Sequence, residues 1–293
     1  MSGVPWSVAA FLVVGLFAAS QSGNIIRLAD ASPFAIAGWR LVMAAAVLAL
    51  ITGRRLRALA GLDGRHRLML VLAGVALAGH LFAWIAAVQH TTVANAAVFF
   101  SINPVFTALA AHLIYRERIT PRLAAAIGLG LAGVAIPALS DLHLGSAHLL
   151  GDGLAVLCSV LFTAYFLLGK SLLRRLDSRV YVTALYGVAG LFSMAVMLAT
   201  GTPFVAYDAR TWTAFGLMAL VPTLIGHTSL NFALRHIDAG RVATLTLSEP
   251  LLAGLVAYLA WDEPLRAATG VGYVLICASV VLVLGDRQRK SPA

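Results

Sequence analysis

Apolar stretches of about 20 residues recur along this chain, parted by short breaks rich in Arg, Asp, Pro and Gly. As a helix rising about 1.5 Å per residue, each stretch spans a hydrocarbon core roughly 30 Å thick. The breaks place ten helices, near 5–26, 34–52, 68–88, 94–114, 121–139, 150–172, 180–200, 211–232, 242–261 and 268–285. The first has small residues at Ala18-Ala19-Ser20 that could pass for a cleavage site. Its uncharged start and the spans downstream read instead as a retained helix. The expected fold is all-α and integral to the membrane, with no soluble domain.

Composition agrees: 60% of the 293 residues are hydrophobic and 11% charged, against about 25% charged in soluble proteins. The charges also orient the chain. With the N-terminus inside, 17 of the 21 Lys and Arg residues fall in inner segments, leaving Arg27, Arg210 and Arg266 outside and Arg40 within the second span. Positive charge in short loops marks the cytoplasmic side, so both termini are expected there, in a bacterial inner membrane. The net charge of +9 is then accounted for by loop arginines against anionic lipid. No nucleic-acid partner is implied.

Shifting the chain on itself by 146 residues pairs ANAAVFFSINPVFTALAAHLIYRERIT, from Ala94, with GRVATLTLSEPLLAGLVAYLAWDEPLR, from Gly240. Ala and Leu matches mean little in such a sequence. The weight rests on Pro104 with Pro250 and Glu117 with Glu263, the Pro and Glu standing thirteen residues apart in each copy. Five helices per copy is an odd number, so two inverted five-helix repeats are expected, 1–142 and 143–286, with a basic tail at 287–293. Such duplication places a central site at the repeat interface, worked by alternating access.

The inverted halves, each with Pro in its fourth helix and an E-R/P-I/L-T/R element after it, resemble the EamA-type branch of the drug/metabolite transporter superfamily. The matching residues are Ser32-Pro33, Arg40, Asn103-Pro104 and Glu117-Arg118-Ile119-Thr120 in the first half, and Glu249-Pro250 and Glu263-Pro264-Leu265 in the second. The second copy departs from the pattern, RERIT becoming DEPLR. The resemblance implies an exporter of small metabolites, with amino acids prominent among bacterial members. Overall similarity is greatest to the aromatic amino acid exporters.

Ionisable and polar groups inside spans are the candidates for function. Glu249 lies about seven residues, roughly 10 Å, into the ninth span, and its repeat partner is Asn103. Glu249 reads either as a site for a substrate ammonium or coupling proton, or as a structural partner of Arg40 or a backbone group. Pro104 and Pro250 are expected to kink their helices and free the carbonyls of Phe100 and Thr246. His80 and Trp84 in the third span, and His227 and Asn231 in the equivalent eighth, share a face at i, i+4. A polar-plus-aromatic pair on each suits a cavity for a ring with charged termini. Phe99, Ser101 and Asn103 cannot all face one way round the fourth span, and Tyr165 and Tyr186 are further aromatics, Tyr186 reading mainly as packing. Arg40 reads first as a fold-stabilising residue. Gln21-Ser22-Gly23-Asn24 sits where a gate is expected, and His143 and His148 read as solvated.

Cys158 and Cys277 have no ligand or CxxC spacing. No P-loop, dinucleotide fingerprint, nucleophile elbow or HExxH is present, so no metal, cofactor, ATP-driven pump or enzyme is expected. The leading expectation is a secondary transporter for amino acids or related metabolites, with its site among spans 1, 3, 4, 6, 8 and 9. Its partners are expected to be that small molecule and membrane lipid, and the functional unit a monomer. Other metabolites or cationic drugs are the alternative cargo. A lipid-modifying enzyme and a nontransporting scaffold are the rivals from other classes.

Overall fold

A computed structural model describes residues 6–91, 93–139, 149–261 and 267–285, whose regular elements are all helices, with no strand among the described residues. The helices are α1 (Trp6–Ser20), α2 (Ser22–Ile26), α3 (Pro33–Thr52), α4 (Gly64–His90), α5 (Val93–Phe100), α6 (Asn103–Tyr115), α7 (Pro121–Leu139), α8 (Leu149–Leu172), α9 (Ser178–Ala199), α10 (Ala209–Met218), α11 (Thr228–Leu234), α12 (Ala239–Leu245), α13 (Glu249–Trp261) and α14 (Ala267–Gly285). They make ten membrane segments. Among the described residues nine are long and apolar enough to cross a bilayer, and Pro121–Ile136 in α7 is a shorter apolar stretch.

Four helix starts are capped by side chains. Ser32, Asp63, Asp177 and Asp208 each accept a backbone N–H of the following turn, from Ala35, His66, Arg179 and Thr211. The same bonds, with those to the His66 and Thr211 side chains, hold the exposed Asp63 and Asp208 carboxyls below the ordinary carboxylate range. The third span is longer than expected, and Gly53–Gly61, read as loop, forms a 3-10 helix.

Four spans are broken. The first parts between α1 and α2 at Gln21, and the fourth between α5 and α6. The eighth passes through a π-helical stretch, Ala219–His227, that contains Pro222. The ninth passes through a 3-10 turn, Thr246–Ser248. The sequence foresaw a kink at Pro104 and Pro250 only. Gln21 carries no breaker signal of its own, and Pro222 did not enter the reading.

The main helix contacts follow the repeat. Second span packs on seventh (α3 on α9), fourth on ninth (α6 on α12), and fifth on tenth (α7 on α14). The third packs on the sixth (α4 on α8), and its counterpart is the eighth on the first (the π segment and α11 on α1). Exchanging the halves returns the first three of these pairs to themselves and interchanges the other two. The first–eighth contact is close enough that a Cβ on Gly226 would lie 2.7 Å from the Ala19 backbone nitrogen.

At the end of the bundle where α6 finishes, Arg116 takes a left-handed backbone (φ 57°), and the next residue, Glu117, turns back onto the other half. Its carboxylate pairs with Lys170 of α8 and also accepts the Ala239 backbone N–H at 3.0 Å, while Lys170 Nζ donates to Ile237 O at 3.3 Å. Both side chains of the pair are nearly buried, at 13% and 11% exposure.

Two stability outcomes are expected. Gly226→Val forces α1 away from the π segment and should cost about 1–3 kcal/mol, read as a melting temperature several degrees lower in detergent. Gly153→Ala, with open space around it, should not lower it; equal melting of the two variants would mean the close approach is dispensable. Lys170→Met strands the Glu117 carboxylate and should cost about 2–4 kcal/mol, most of it regained in the double variant with Glu117→Leu, which leaves no lone charge. Additive losses in the double variant would show that the pair is not a coupled unit.

Candidate functional site

The breaks meet. A cavity of about 370 Å³ lies between the two halves, walled by Ser20 and Ser22–Asn24 from the first span, Ser101 and Asn103 from the fourth, His227 from the eighth, and Thr246, Glu249 and Pro250 from the ninth. Irregular backbone at membrane depth is tolerated only beside a cavity or packed protein, and here all four irregular stretches contribute to one wall. The cavity reaches the exposed Arg27 at one end of the bundle. The Glu117–Lys170 pair joins the halves at the opposite end.

The carbonyls freed by the prolines have partners. Phe100 O accepts from Ser159 Oγ of α8 at 2.7 Å and from Asn103 Nδ2 at 3.2 Å, and Thr246 O accepts the Glu249 backbone N–H. Asn103 and Glu249, 146 residues apart, occupy the same place: each is the first residue of the helix resuming after the break, and each is followed by proline. The Glu249 side chain makes no hydrogen bond or ion pair with another of the described residues. Arg40 is not its partner. That guanidinium is fully buried in α3, donating from Nε to Thr223 Oγ1 at 2.8 Å and from Nη1 to Ser22 Oγ at 3.4 Å, so it fastens the π segment to the first span.

Aromatic rings form the remaining wall. His80 lies with its ring centroid 5.4 Å from Phe162, 5.8 Å from Phe100 and 6.2 Å from His227, and Trp84 is 5.6 Å from Phe100. His80 Nδ1 is 3.1 Å from Cys158 O. Cys158 Sγ lies 3.1 Å from the same Nδ1, so this nitrogen either donates to the carbonyl or accepts from the thiol, according to the tautomer.

Of the residues singled out from the sequence, His80, Trp84, Ser101, Asn103, His227, Glu249 and Pro250 line this one cavity. Phe99, Tyr165, Asn231 and Pro104 do not. Phe99 packs with Ala87, Ala96 and Ala155, and its neighbour Phe100, one residue or 100° further round α5, takes the cavity position. Tyr165 and Asn231 stand one layer back and fix His227: the Tyr165 hydroxyl is 3.4 Å from its Nδ1, and Asn231 Nδ2 donates to its backbone carbonyl at 2.8 Å. Pro104 is buried beside the break. Tyr186 bonds Thr223 and Thr228, an interhelical packing role.

Ser22, Gly23 and Asn24 of the expected gate cluster also line the cavity, whereas sequence reasoning missed Phe100, Phe162 and Tyr273, along with contributions from the fifth and tenth spans (Gly133, Val134, Thr269, Ile276). Phe162 was findable, since it lies three residues before Tyr165 on the same face of α8. His143, His148 and Glu263-Pro264-Leu265 lie outside the described residues. Among the described residues no three His, Cys, Asp or Glu are placed to hold a metal ion.

A solved crystal structure shares the fold, with a TM-score of 0.79 over 94% of this chain and 96% of that one at 18% identity. An uncharacterized transporter of Archaeoglobus fulgidus is 25% identical over 271 residues, 90% of this chain and 92% of the relative. The uncharacterized transporter YyaM of Bacillus subtilis is 21% identical over 272 residues, covering 87% and 85%. The model of the EamA-like transporter family matches twice, at residues 1–138 and 149–285. Each half of the chain thus carries the family pattern, and the chain belongs to the EamA-like transporter family.

Proposed function

We propose that this membrane transporter is a secondary exporter in a bacterial inner membrane, moving small metabolites outward by alternating access through the cavity between two inverted repeats. Amino acids, aromatic ones first, are the favoured cargo. The observation that carries the reading is Glu249: a carboxylate without a protein partner among the described residues, at a helix break, in a cavity walled by both halves. A cavity of about 370 Å³ falls at the small end of ligand pockets, and the wall of His80, Trp84, Phe100 and Phe162 suits a ring.

Alternating access has support in the packing. Helix pairs that exchange under the repeat are what two interchangeable halves require, and five spans in each set them in opposite directions across the membrane. The open Arg27 end then faces outward and the Glu117–Lys170 end faces the cytoplasm, following the distribution of basic residues. One chain holds both halves, and a monomer is sufficient for the cycle. A scaffold has no use for such a cavity, and a lipid-modifying enzyme needs catalytic groups clustered at an interface, whereas Glu117 is occupied by Lys170 and Ala239. The second reading is an exporter of organic cations, favoured by Glu249 lying in a cavity with an aromatic wall.

Counterflow of the twenty amino acids and of a cationic dye in proteoliposomes separates these readings. Aromatic amino acids should exchange fastest; exchange of the dye alone would transfer the assignment to the second reading, and no exchange of either would remove both. In Glu249→Gln, counterflow retained with loss of the response to a proton gradient would assign proton coupling to this carboxylate, while retention of both would end that assignment.

A further inference from the structure

We propose that the cavity recognises its cargo by a protonated amine, held between Glu249 and Asn103, and that a carboxylate on the cargo is secondary. The proposal rests on the transport reading for its cargo, and on the hydrogen-bond inventory of this wall for its chemistry.

At the two helix breaks the inventory is one-sided. Asn103 is 1% exposed, and its Nδ2 is spent on Phe100 O, which leaves Oδ1 with no partner. The Glu249 carboxylate can only accept, and its backbone N–H is spent on Thr246 O. The next residue in each copy is proline, which has no N–H, so neither resumed helix presents the full set of first-turn donors that makes a helix start an anion site. Three of the lining hydroxyls are spent as well, while Ser22 accepts from Arg40 Nη1 and the hydroxyls of Thr269 and Tyr273 stand elsewhere on the wall. Ser20 donates to Phe17 O, Ser101 to Ala97 O and Thr246 to Ala243 O. Asn24 uses its amide nitrogen on Gln21 Oε1 and Ala253 O.

An acceptor-rich pocket leaves buried lone pairs unmatched unless the ligand supplies hydrogens. A primary ammonium supplies three and carries the charge that Glu249 lacks. The Trp84 indole, a donor, lies one turn beyond His80 toward the open end, and the positively charged Arg27 stands at the mouth. A zwitterion therefore fits with its amine inward. An amine without a carboxylate keeps the deeper contact, and a carboxylate without an amine keeps only the outer one.

The test measures binding to the purified full-length protein in detergent by titration calorimetry. The probes are phenylalanine, 2-phenylethylamine, phenylpyruvate and N-acetylphenylalanine, with the corresponding leucine series beside them. The amino acid and the amine should bind, and the keto acid and N-acetyl compound should bind at least about tenfold more weakly, the loss expected for charge-assisted hydrogen bonds. Asn103→Leu should weaken the amine about tenfold, and Asn103→Asp should not weaken it. Should those variants not fold, the probe series on the unaltered protein decides alone. Keto acids binding as tightly as amino acids would overturn the amine site and leave the transport reading standing. Amines that bind without counterflow would overturn the transport reading and leave the site. Failure of every amine-bearing probe to bind would overturn the site outright.

Discussion

In hydrocarbon a backbone N–H or C=O without a partner costs several kcal/mol, and the arrangement of this molecule follows from where it breaks that regularity. Most spans run as uninterrupted helices, their bonds closed within the segment. Four do not, and all four meet at one place, where the loosened groups find Ser159, Asn103, Thr223 or each other. The cavity and the broken helices are one feature seen from two sides. Proline removes donors there, side-chain hydroxyls and amides satisfy carbonyls, and the space left is bordered by lone pairs.

The outer frame is nearly symmetric and the polar decoration is not. Corresponding helices pack on one another through Gly, Ala and Leu, the small-residue contacts that let helices approach in the absence of a hydrophobic drive between them. Arg40 and Lys170 belong to the asymmetric part. Arg40 ties the π segment to α2 from the side, holding one break against another. Lys170 joins Glu117 and the Ile237 carbonyl across the halves. A charge buried at such a joint fixes geometry more than it adds stability, because desolvation offsets much of the Coulomb attraction.

The ten spans and the family pattern in each half were legible because each rests on a strong one-dimensional signal: run length, and Pro and Glu at a fixed offset. Most of the site candidates also lie on the cavity, since an ionisable or amide group inside a span has few inexpensive places to be. What the sequence hid is rotational. Phe99 and Phe100 are chemically identical, and only the phase of a short helix ending in a break decides which ring faces inward. The π stretch adds a further phase slip at Ala219–His227 that a constant 3.6-residue period does not contain. Arg40 offered Glu249 as the obvious partner by charge, but its hydrogen bonds run to Thr223 and Ser22.

The comparison of Asn103 with Glu249 says what the proline motif is for. Both copies break, resume with a polar residue and follow it with proline, so the break does not depend on a carboxylate. Asn103 shows the structural task of that position: its amide nitrogen returns to Phe100 O and helps close the gap the proline opens. Glu249 has no hydrogen to give and cannot perform that task; its own backbone N–H does so, through the 3-10 turn. The side chain is thereby released from structural duty, and its carboxylate remains without a protein partner among the described residues. A group that the fold does not use, at a depth where an unmet charge is expensive, is the part of the symmetric frame left for chemistry supplied from outside it.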